Sequence, residues 1–399
     1  MVSKGPRSSR EPTSDMNQAS RIGIGFVGAG WMGEAHLQRL RAREDVEICW
    51  LFEPNEERGR EVLSRLGLGP ERLARSYEQM LADPAVHAIW IASPNCYHGP
   101  QAIRAMEAGK HVFCEKPPAT TFAEFCREIE IEQAKPGLIT MVDYILRFDP
   151  METRLREMVV RGTFGRITQI QVNYRHPVNI SGTKNWKLKA AIMGDAIGMG
   201  INHALSVMLD LMASQTTPVG VFAISHPAEV RGFEADPTWT ILVRFADGAV
   251  GVCCGNIDNG NGYDAFHSLF GTQGGFVFDS QQDRAHKVRY WSETETGGRW
   301  VFPLDPERCA QEGVPALAWP ANLSTPDSGD VMQHQIGRAI AHFLDCVRTR
   351  TPSPLSFSNA RLVGEVGWAA RVSAQLGREV RLPLDWAETA RQLSEGASS

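Results

Sequence analysis

Residues 25–36 (GFVGAGWMGEAH) constrain the fold of this chain more than any other stretch of the sequence. Gly28, Gly30 and Gly33 have the spacing G-x-G-x-x-G, directly after an apolar run and directly before a helical pattern. Glu53 lies 20 residues after Gly33, at the end of the next apolar run. This complete context is typical of a strand–turn–helix unit that binds a dinucleotide.

The three glycines and the glutamate have separate expected roles. The first glycine permits a tight turn, the second lets the backbone approach a pyrophosphate, and the third lets helix and strand pack closely. Glu53 can accept hydrogen bonds from both ribose hydroxyls and would repel a 2′-phosphate, so the sequence favours NAD over NADP. We expect Trp31 and Met32, at the start of the helix, to contact the cofactor too. The alternative is a tight turn without a ligand.

The pattern of apolar runs indicates two architectures in succession. Up to about Phe148, short apolar runs alternate with helical patterns, which predicts a doubly wound parallel sheet of the Rossmann type. Beyond it, strands follow one another closely, and the ADG turn at residues 246–248 joins two of them as a hairpin. The predicted fold class is therefore α/β, with a second, α+β domain built on a mostly antiparallel sheet.

These patterns also give domain boundaries. We predict a disordered tail at residues 1–20, an NAD-binding domain at 21–147 and a substrate-binding domain at 148–384. Residues 280–330 are weakly periodic and dotted with proline, so we expect an irregular excursion there. Residues 385–399 are expected to form a C-terminal tail.

Composition excludes several classes of protein. The net charge is −5 and no basic stripe is present, so nucleic acid is not an expected partner. No apolar run approaches the roughly 18 residues of a membrane span, and the N-terminus lacks the apolar core of a signal peptide. The eight cysteines are scattered without metal or disulfide spacing, so we expect no metal site and a cytoplasmic location.

Two loops follow later strands of the predicted parallel sheet. Ligands of doubly wound folds lie beyond the carboxyl ends of strands, so both loops should face the cofactor. The first, ASPNCYH, offers Ser93 and Asn95 as polar contacts, and His98 either joins them or simply begins the next helix. The second, HVFCEKPPAT, ends its strand at Glu115 and Lys116.

Two prolines follow Lys116 and stiffen the chain, since the proline ring fixes φ. A partly desolvated lysine beside a cationic nicotinamide ring should have a lowered pKa and can act as an acid or base. Glu115 would position the lysine or oppose that decrease in pKa. The alternative is a surface lysine after an edge strand.

The glycine fingerprint, the S-P-N-x-x-H loop and the E-K-P triplet, in this order and spacing, resemble the glucose-fructose oxidoreductase/inositol dehydrogenase/MocA family. Further similarities are YILRFDP, GTFGRI, FGTQGGFVFD and SAQLGREVRLP, so the resemblance spans residues 21–384. It implies an open sheet in the second domain and a sugar or polyol substrate bound between the domains. It also implies that Lys116, often before a cis proline, exchanges the hydroxyl proton during hydride transfer.

The resemblance further implies a catalytic D-x-x-x-H pair, which this chain matches only in part. His203 fits the histidine, but Met199 stands at the position of the aspartate. Asp195 lies four residues before Met199 and would share its face in a continuous helix, so it is a candidate substitute.

Other polar and aromatic residues are candidates for the cleft. Arg147 is expected near the cofactor by resemblance, and Tyr144, Tyr174, Trp186 and Met199 near the substrate. The resemblance also implies a homodimer or homotetramer formed through the sheet of the second domain.

Three functions are consistent with these residues. The first is an NAD-dependent dehydrogenase for a secondary hydroxyl of a sugar, inositol or glycoside. The second is a redox-neutral enzyme that oxidises a sugar transiently, eliminates or exchanges a group and reduces the sugar again. The third is an NAD-binding sensor without turnover, for which neither Lys116 nor His203 would be needed.

Overall fold

The computed structural model describes residues 21–260, 262, 264–314, 316 and 334–396. The predicted tail at 1–20 lies outside the described residues, as does part of the predicted excursion, 317–330.

The first domain is built on five parallel strands, in the order β2-β1-β3-β4-β5. The strands are β1 (Ile22–Val27), β2 (Val46–Phe52), β3 (Ala88–Ile91), β4 (His111–Cys114) and β5 (Thr140–Val142). The helices between them are α1 (Trp31–Arg41), α2 (Glu56–Arg65), α3 (Tyr77–Ala82), α4 (His98–Glu107) and α5 (Phe122–Ala134). Every residue of β1 and β3 is buried, as expected for parallel strands with both faces covered. The predicted doubly wound sheet is confirmed.

The second domain is built on eight strands, in the order β12-β11-β10-β6-β9-β8-β7-β13. All neighbours are antiparallel except β6 and β9. The strands are β6 (Ile167–Arg175), β7 (Pro218–His226), β8 (Thr238–Phe245), β9 (Val250–Asn256), β10 (Phe266–Gly271), β11 (Gly274–Asp279), β12 (Val288–Ser292) and β13 (Val380–Arg381). This confirms the predicted large, mostly antiparallel sheet.

In the part of the chain that the structure describes, seven α-helices follow the first domain. They are α6 (Pro150–Val160), α7 (Ala190–Met193), α8 (Asn202–Met212), α9 (Pro306–Glu312), α10 (Ile336–Thr349), α11 (Arg361–Leu376) and α12 (Trp386–Gly396). Two of them, α8 and α11, pack on this sheet. Among the described residues, one helical run (Ala190–Met212) is long and apolar enough to cross a membrane, yet 78% of its apolar window is buried inside the protein. Burial of this kind is that of a core helix, because α8 packs on β6 and on α11.

The structure differs from the predicted boundaries in three places. Residues 385–399 are not simply a tail, because α12 packs against α5 and α11, with the rings of Trp386 and Phe125 6.5 Å apart. The predicted excursion contains β12 and α9. Helix α10, expected in the second domain, packs on the first, where the ring of Phe343 stands edge-on to those of Trp90 and Phe113. Helices α10 and α12 gain apolar partners far away in sequence, whereas β12 pairs with the preceding strand β11.

Candidate active site

The glycines in the loop between β1 and α1 differ in whether the protein's own packing requires them. Gly28 has φ +91°, and a Cβ there would lie 2.6 Å from the carbonyl oxygen of Ala92. A Cβ on Gly33 would lie 2.2 Å from the carbonyl oxygen of Gly28. A Cβ on Gly30, by contrast, would meet no atom within 4 Å. The protein's own packing therefore requires the outer two glycines, whereas the middle one leaves an open cradle at a helix N-terminus, which suits a pyrophosphate.

Glu53 is held beside this cradle. One carboxylate oxygen accepts a hydrogen bond from the backbone N–H of Ala29 at 2.8 Å, and the other accepts one from the N–H of Asn55 at 3.0 Å. Both oxygens keep further lone pairs, because a carboxylate oxygen accepts more than one hydrogen bond. The residues present thus fit the phosphates and one ribose of a dinucleotide.

Trp31 and Met32 differ in their surroundings. Met32 is partly buried against the hydrophobic core. The ring of Trp31 is 41% exposed and contacts two residues that come from beyond the first domain. The ammonium of Lys184 lies 5.2 Å from the centre of that ring, and the ring of His334 meets it edge-on at 6.2 Å. Trp31 therefore lies where the two domains meet, next to the glycine loop.

The loop after β3 is fastened to the loop after β4 by His98. Its Nδ1 lies 2.7 Å from the carbonyl oxygen of Pro117, and its Nε2 lies 2.7 Å from that of Ser93. Burial lowers the pKa of His98, and the two carbonyl contacts oppose this decrease. His98 begins α4, as one of the two alternatives from the sequence has it, and its contact with the cofactor stays a prediction. The Ser93 hydroxyl donates to Gln101, and the Asn95 amide donates to the carbonyl oxygen of Met193.

Lys116 follows β4 and precedes a cis peptide bond to Pro117. Its ammonium donates a hydrogen bond of 2.6 Å to the backbone carbonyl oxygen of Met199. Met199 lies in a π-helical turn, Ile197–Ile201, that leads directly into α8, and such turns are frequent at functional sites. The side chain of Met199 points to the first domain, where its sulfur lies 3.9 Å from the Asn95 amide nitrogen.

His203, in the first turn of α8, is buried in the same segment. Its ring centre lies 6.0 Å from that of Tyr174, at the end of β6. A Cβ on Gly200 would lie 2.2 Å from the Tyr174 ring, so this glycine permits the close approach of the π-helical turn to the sheet. The π-helical turn and the start of α8, which carry Met199 and His203, therefore contact both the loop after β4 and the end of β6. These two neighbours carry Lys116 and Tyr174.

Two charged candidates from the sequence have other partners. Asp195 forms an ion pair with Arg371 of α11 and accepts a hydrogen bond from the N–H of Gly198, so its carboxylate does not substitute for the missing aspartate. Arg147 forms an ion pair with Asp210 of α8. The charges of both side chains are thus balanced by partners within the protein.

Two aromatic candidates lie behind or beside the cleft. Tyr144 is buried and lines a cavity of about 40 Å³ behind Pro117, together with Trp368 and Arg371. Trp186 packs partly buried against the core, with the ammonium of Lys187 5.9 Å from its ring centre.

Sequence reasoning missed a buried polar cluster directly behind Lys116. Glu115, His36 of α1 and Asp143, which follows β5, bring one ligand-type atom each within 4.8 Å of one another, and all three are buried. The one available signal was His36 itself, a polar residue on the apolar face of the first helix.

The chain matches two family models, described as "Oxidoreductase family, NAD-binding Rossmann fold" over residues 22–144 and "GFO/IDH/MocA C-terminal domain" over residues 153–277. It is 28% identical over 291 residues to myo-inositol 2-dehydrogenase of Thermotoga maritima, covering 70% of this chain and 81% of that protein. It is 26% identical over 358 residues to levoglucosan dehydrogenase of Pseudarthrobacter phenanthrenivorans, covering 80% and 89%.

Solved structures agree with this fold. Levoglucosan dehydrogenase in complex with NADH and levoglucosan superposes with a TM-score of 0.74 at 24% identity, covering 91% of this chain and all of that one. GenD2 from gentamicin A biosynthesis, in complex with NAD, gives a TM-score of 0.72 at 23% identity, covering 96% and 100%. At these identities the likeness shows the fold alone.

The fold and the matched domains define a two-domain oxidoreductase that uses NAD. The chain belongs to the GFO/IDH/MocA family. The predicted family, fold class, cofactor and enzyme class are thereby confirmed.

Proposed function

We propose that this chain is an NAD-dependent dehydrogenase that oxidises a secondary hydroxyl of a sugar, inositol or glycoside, with Lys116 as the acid/base. The observation that carries the proposal is the position of Lys116, at the carboxyl end of β4 with its side chain directed to the π-helical turn before His203. Relatives named myo-inositol 2-dehydrogenase and levoglucosan dehydrogenase support this class of substrate.

The chain's own residues divide the work as follows. The carbonyl of Met199 orients the Lys116 nitrogen, which in its neutral form takes the proton of the substrate hydroxyl. The imidazole of His203 and the hydroxyl of Tyr174, whose ring centres lie 6.0 Å apart, offer hydrogen-bonding groups to a substrate. Bound NAD supplies the acceptor for the hydride. Glu53 and the glycine loop would hold one ribose and the phosphates of the cofactor.

An NAD-reduction screen over inositols, free sugars, glycosides and anhydrosugars tests the proposal, with products also measured by mass spectrometry. We expect NADH with at least one of them. Lys116→Ala should lower kcat by about 10²-fold or more and leave NAD binding intact. Lys189→Ala is the matched control, because Lys189 is an exposed lysine paired with Glu234. Turnover of Lys116→Ala at the wild-type rate would remove the lysine from the mechanism.

The remaining outcomes of the screen separate the other candidate functions. Product without NADH would favour the redox-neutral enzyme, for which the absence of an aspartate at Met199 is the supporting observation. NAD binding without any product would favour the sensor.

We also propose that the chain forms a homodimer or homotetramer through the second sheet. Ile224, Leu242 and Val250 are exposed on its outer face, on the neighbouring strands β7, β8 and β9. Exposed apolar side chains on one face are typical of an interface. Light scattering on the wild type and on Leu242→Glu tests this, and a wild-type monomer would contradict it.

A further inference from the structure

The polar cluster behind Lys116 has a defined arrangement of donors and acceptors. Glu115 and Asp143 are the residues next after β4 and β5, and Cys114 pairs with Val142 in the register of those strands. The two acids therefore leave neighbouring strands side by side. The Nε2 of His36 lies 3.1 Å from a carboxylate oxygen of Glu115 and 3.5 Å from one of Asp143.

Trp90 fixes the tautomer of His36. The indole nitrogen of Trp90 lies 3.3 Å from Nδ1 of His36, and an indole N–H can only donate. Nδ1 is therefore the acceptor, and Nε2 carries the proton that His36 donates to Glu115. A metal ion bound at Nε2 would need the lone pair at that nitrogen. The tautomer thus argues against a metal site, although the cluster has the donor types of one.

The hydrogen-bond donors near the two carboxyl groups indicate which of the two is ionised. Two buried carboxyl groups this close cannot both ionise beside a neutral imidazole. Glu115 accepts from His36 and also from the backbone N–H of Lys116, at 3.3 Å. Among the described residues, neither side-chain oxygen of Asp143 has a hydrogen-bond partner. The proton is therefore more stable on Asp143.

The pKa shifts of Asp143 and Glu115 agree with a proton on Asp143. Burial raises the pKa of Asp143 well above its usual range, and the charge of Glu115 raises it further. Burial also raises the pKa of Glu115, but the hydrogen bond from His36 and the charge of Lys116 outweigh it and lower that pKa.

We propose that Asp143 is a positioning residue that stays neutral and directs its proton to Glu115, so that a single negative charge lies beside Lys116. This rests on the proposed role of Lys116 as the acid/base. A second carboxylate at Asp143 would stabilise the ammonium form and oppose the uptake of a substrate proton. The titratable groups that face Asp143 and Lys116 are Glu115, His36, His98 and Cys114.

Infrared spectroscopy tests the protonation state without substrate. The difference spectrum between wild type and Asp143→Asn at neutral pH should contain the C=O band of a carboxylic acid, shifted in D2O. A difference spectrum with carboxylate bands alone would overturn the proposal. Because this readout needs no turnover, it decides the state of Asp143 even if the function of Lys116 proposed above fails.

The pH profile of kcat/KM tests the consequence for Lys116. Asp143→Asn should keep the midpoint of the ascending limb, because asparagine is also neutral and offers a donor. If Asp143 carried a charge, its removal would lower that midpoint by roughly one pH unit or more, which would contradict the proposal. Glu128→Gln is the matched control, since Glu128 is a buried acid outside this cluster whose pKa burial also raises.

Asp143→Leu separates hydrogen bonding from packing. Leucine has the same branching at Cγ but is larger and has no donor, so kcat/KM should fall roughly tenfold or more below that of Asp143→Asn, with the KM for NAD little changed. Equal activity of the two variants would overturn the proposal. If the leucine variant fails to fold, as its melting temperature would show, the asparagine variant alone decides through its infrared spectrum and pH profile.

Discussion

The ammonium nitrogen of Lys116 lies 2.6 Å from the backbone carbonyl oxygen of Met199. The resemblance to the family implies an aspartate at position 199, where this chain has methionine. The group of residue 199 that contacts the lysine is therefore its neutral backbone carbonyl. A carbonyl orients an ammonium group but stabilises its charge less than a carboxylate does. The residue at position 199 therefore orients the lysine without adding a negative charge beside it.

Met199→Asp should change the pH–rate profile, since it adds a negative charge to the residue whose carbonyl already contacts Lys116. The ascending limb of the pH–rate profile should move up by roughly one pH unit or more. Met199→Asn is the matched control, because it is polar but uncharged. Identical profiles for the two variants would show that residue 199 does not act on the lysine through charge.

Alanine substitutions at Gly30 and Gly33 should have opposite effects on binding and folding. Gly30→Ala should keep the melting temperature, because the new Cβ meets no protein atom within 4 Å, but it should weaken NAD binding by filling the cradle. Gly33→Ala should destabilise the fold, because its Cβ would lie 2.2 Å from a backbone oxygen. Calorimetric NAD titration and thermal unfolding measure both. Full NAD affinity in Gly30→Ala would place the pyrophosphate elsewhere.

Glu53→Ala should weaken NAD binding by roughly 10- to 100-fold, because a hydrogen bond to a charged group is worth about 1.5–3 kcal/mol. The loss for NADP should be smaller, since the substitution also removes the repulsion of the 2′-phosphate. Dissociation constants for both cofactors check this. Glu56→Ala, on the exposed first turn of α2, is the control and should change neither constant.

Glu128→Gln should stabilise the protein at neutral pH. Burial raises the pKa of Glu128 well above its usual range, and the charges of Glu124 and Glu132 raise it further. A raised folded-state pKa contributes stability that is complete below about pH 4, the pKa in the unfolded chain, and is lost as the pH rises. The variant should melt at a higher temperature than wild type at about pH 7–8 and at the same temperature near pH 4. A difference that is constant across this range, or one shared by the exposed Glu130→Gln, would refute this cause.

The elements predicted best are those whose signal is local. The strand β1, the glycine loop and α1 follow from an apolar run, from a φ of +91° at Gly28 that favours glycine, and from a helical pattern. Lys116 was identified for the same reason, because a residue just after a parallel strand lies at the ligand edge of the sheet.

The contacts that were not predicted depend on distant parts of the chain. Helical periodicity placed Asp195 on the face of Met199, but its partner Arg371 comes from α11. The cluster of His36, Glu115 and Asp143 exists because α1, β4 and β5 meet in space. No local pattern contains such information, which is why the hydrogen bond from Lys116 to the backbone carbonyl of Met199 could not be predicted from the sequence.

The contacts of Trp31 make this residue an intrinsic optical reporter. Its indole belongs to the first turn of α1, while its neighbours Lys184 and His334 belong to segments beyond the first domain. An indole that is partly exposed and lies next to an ammonium group emits light that is sensitive to both charge and solvent. Any separation of the two domains, or any ligand that enters beside the glycine loop, therefore changes the fluorescence of a residue already present in the natural chain.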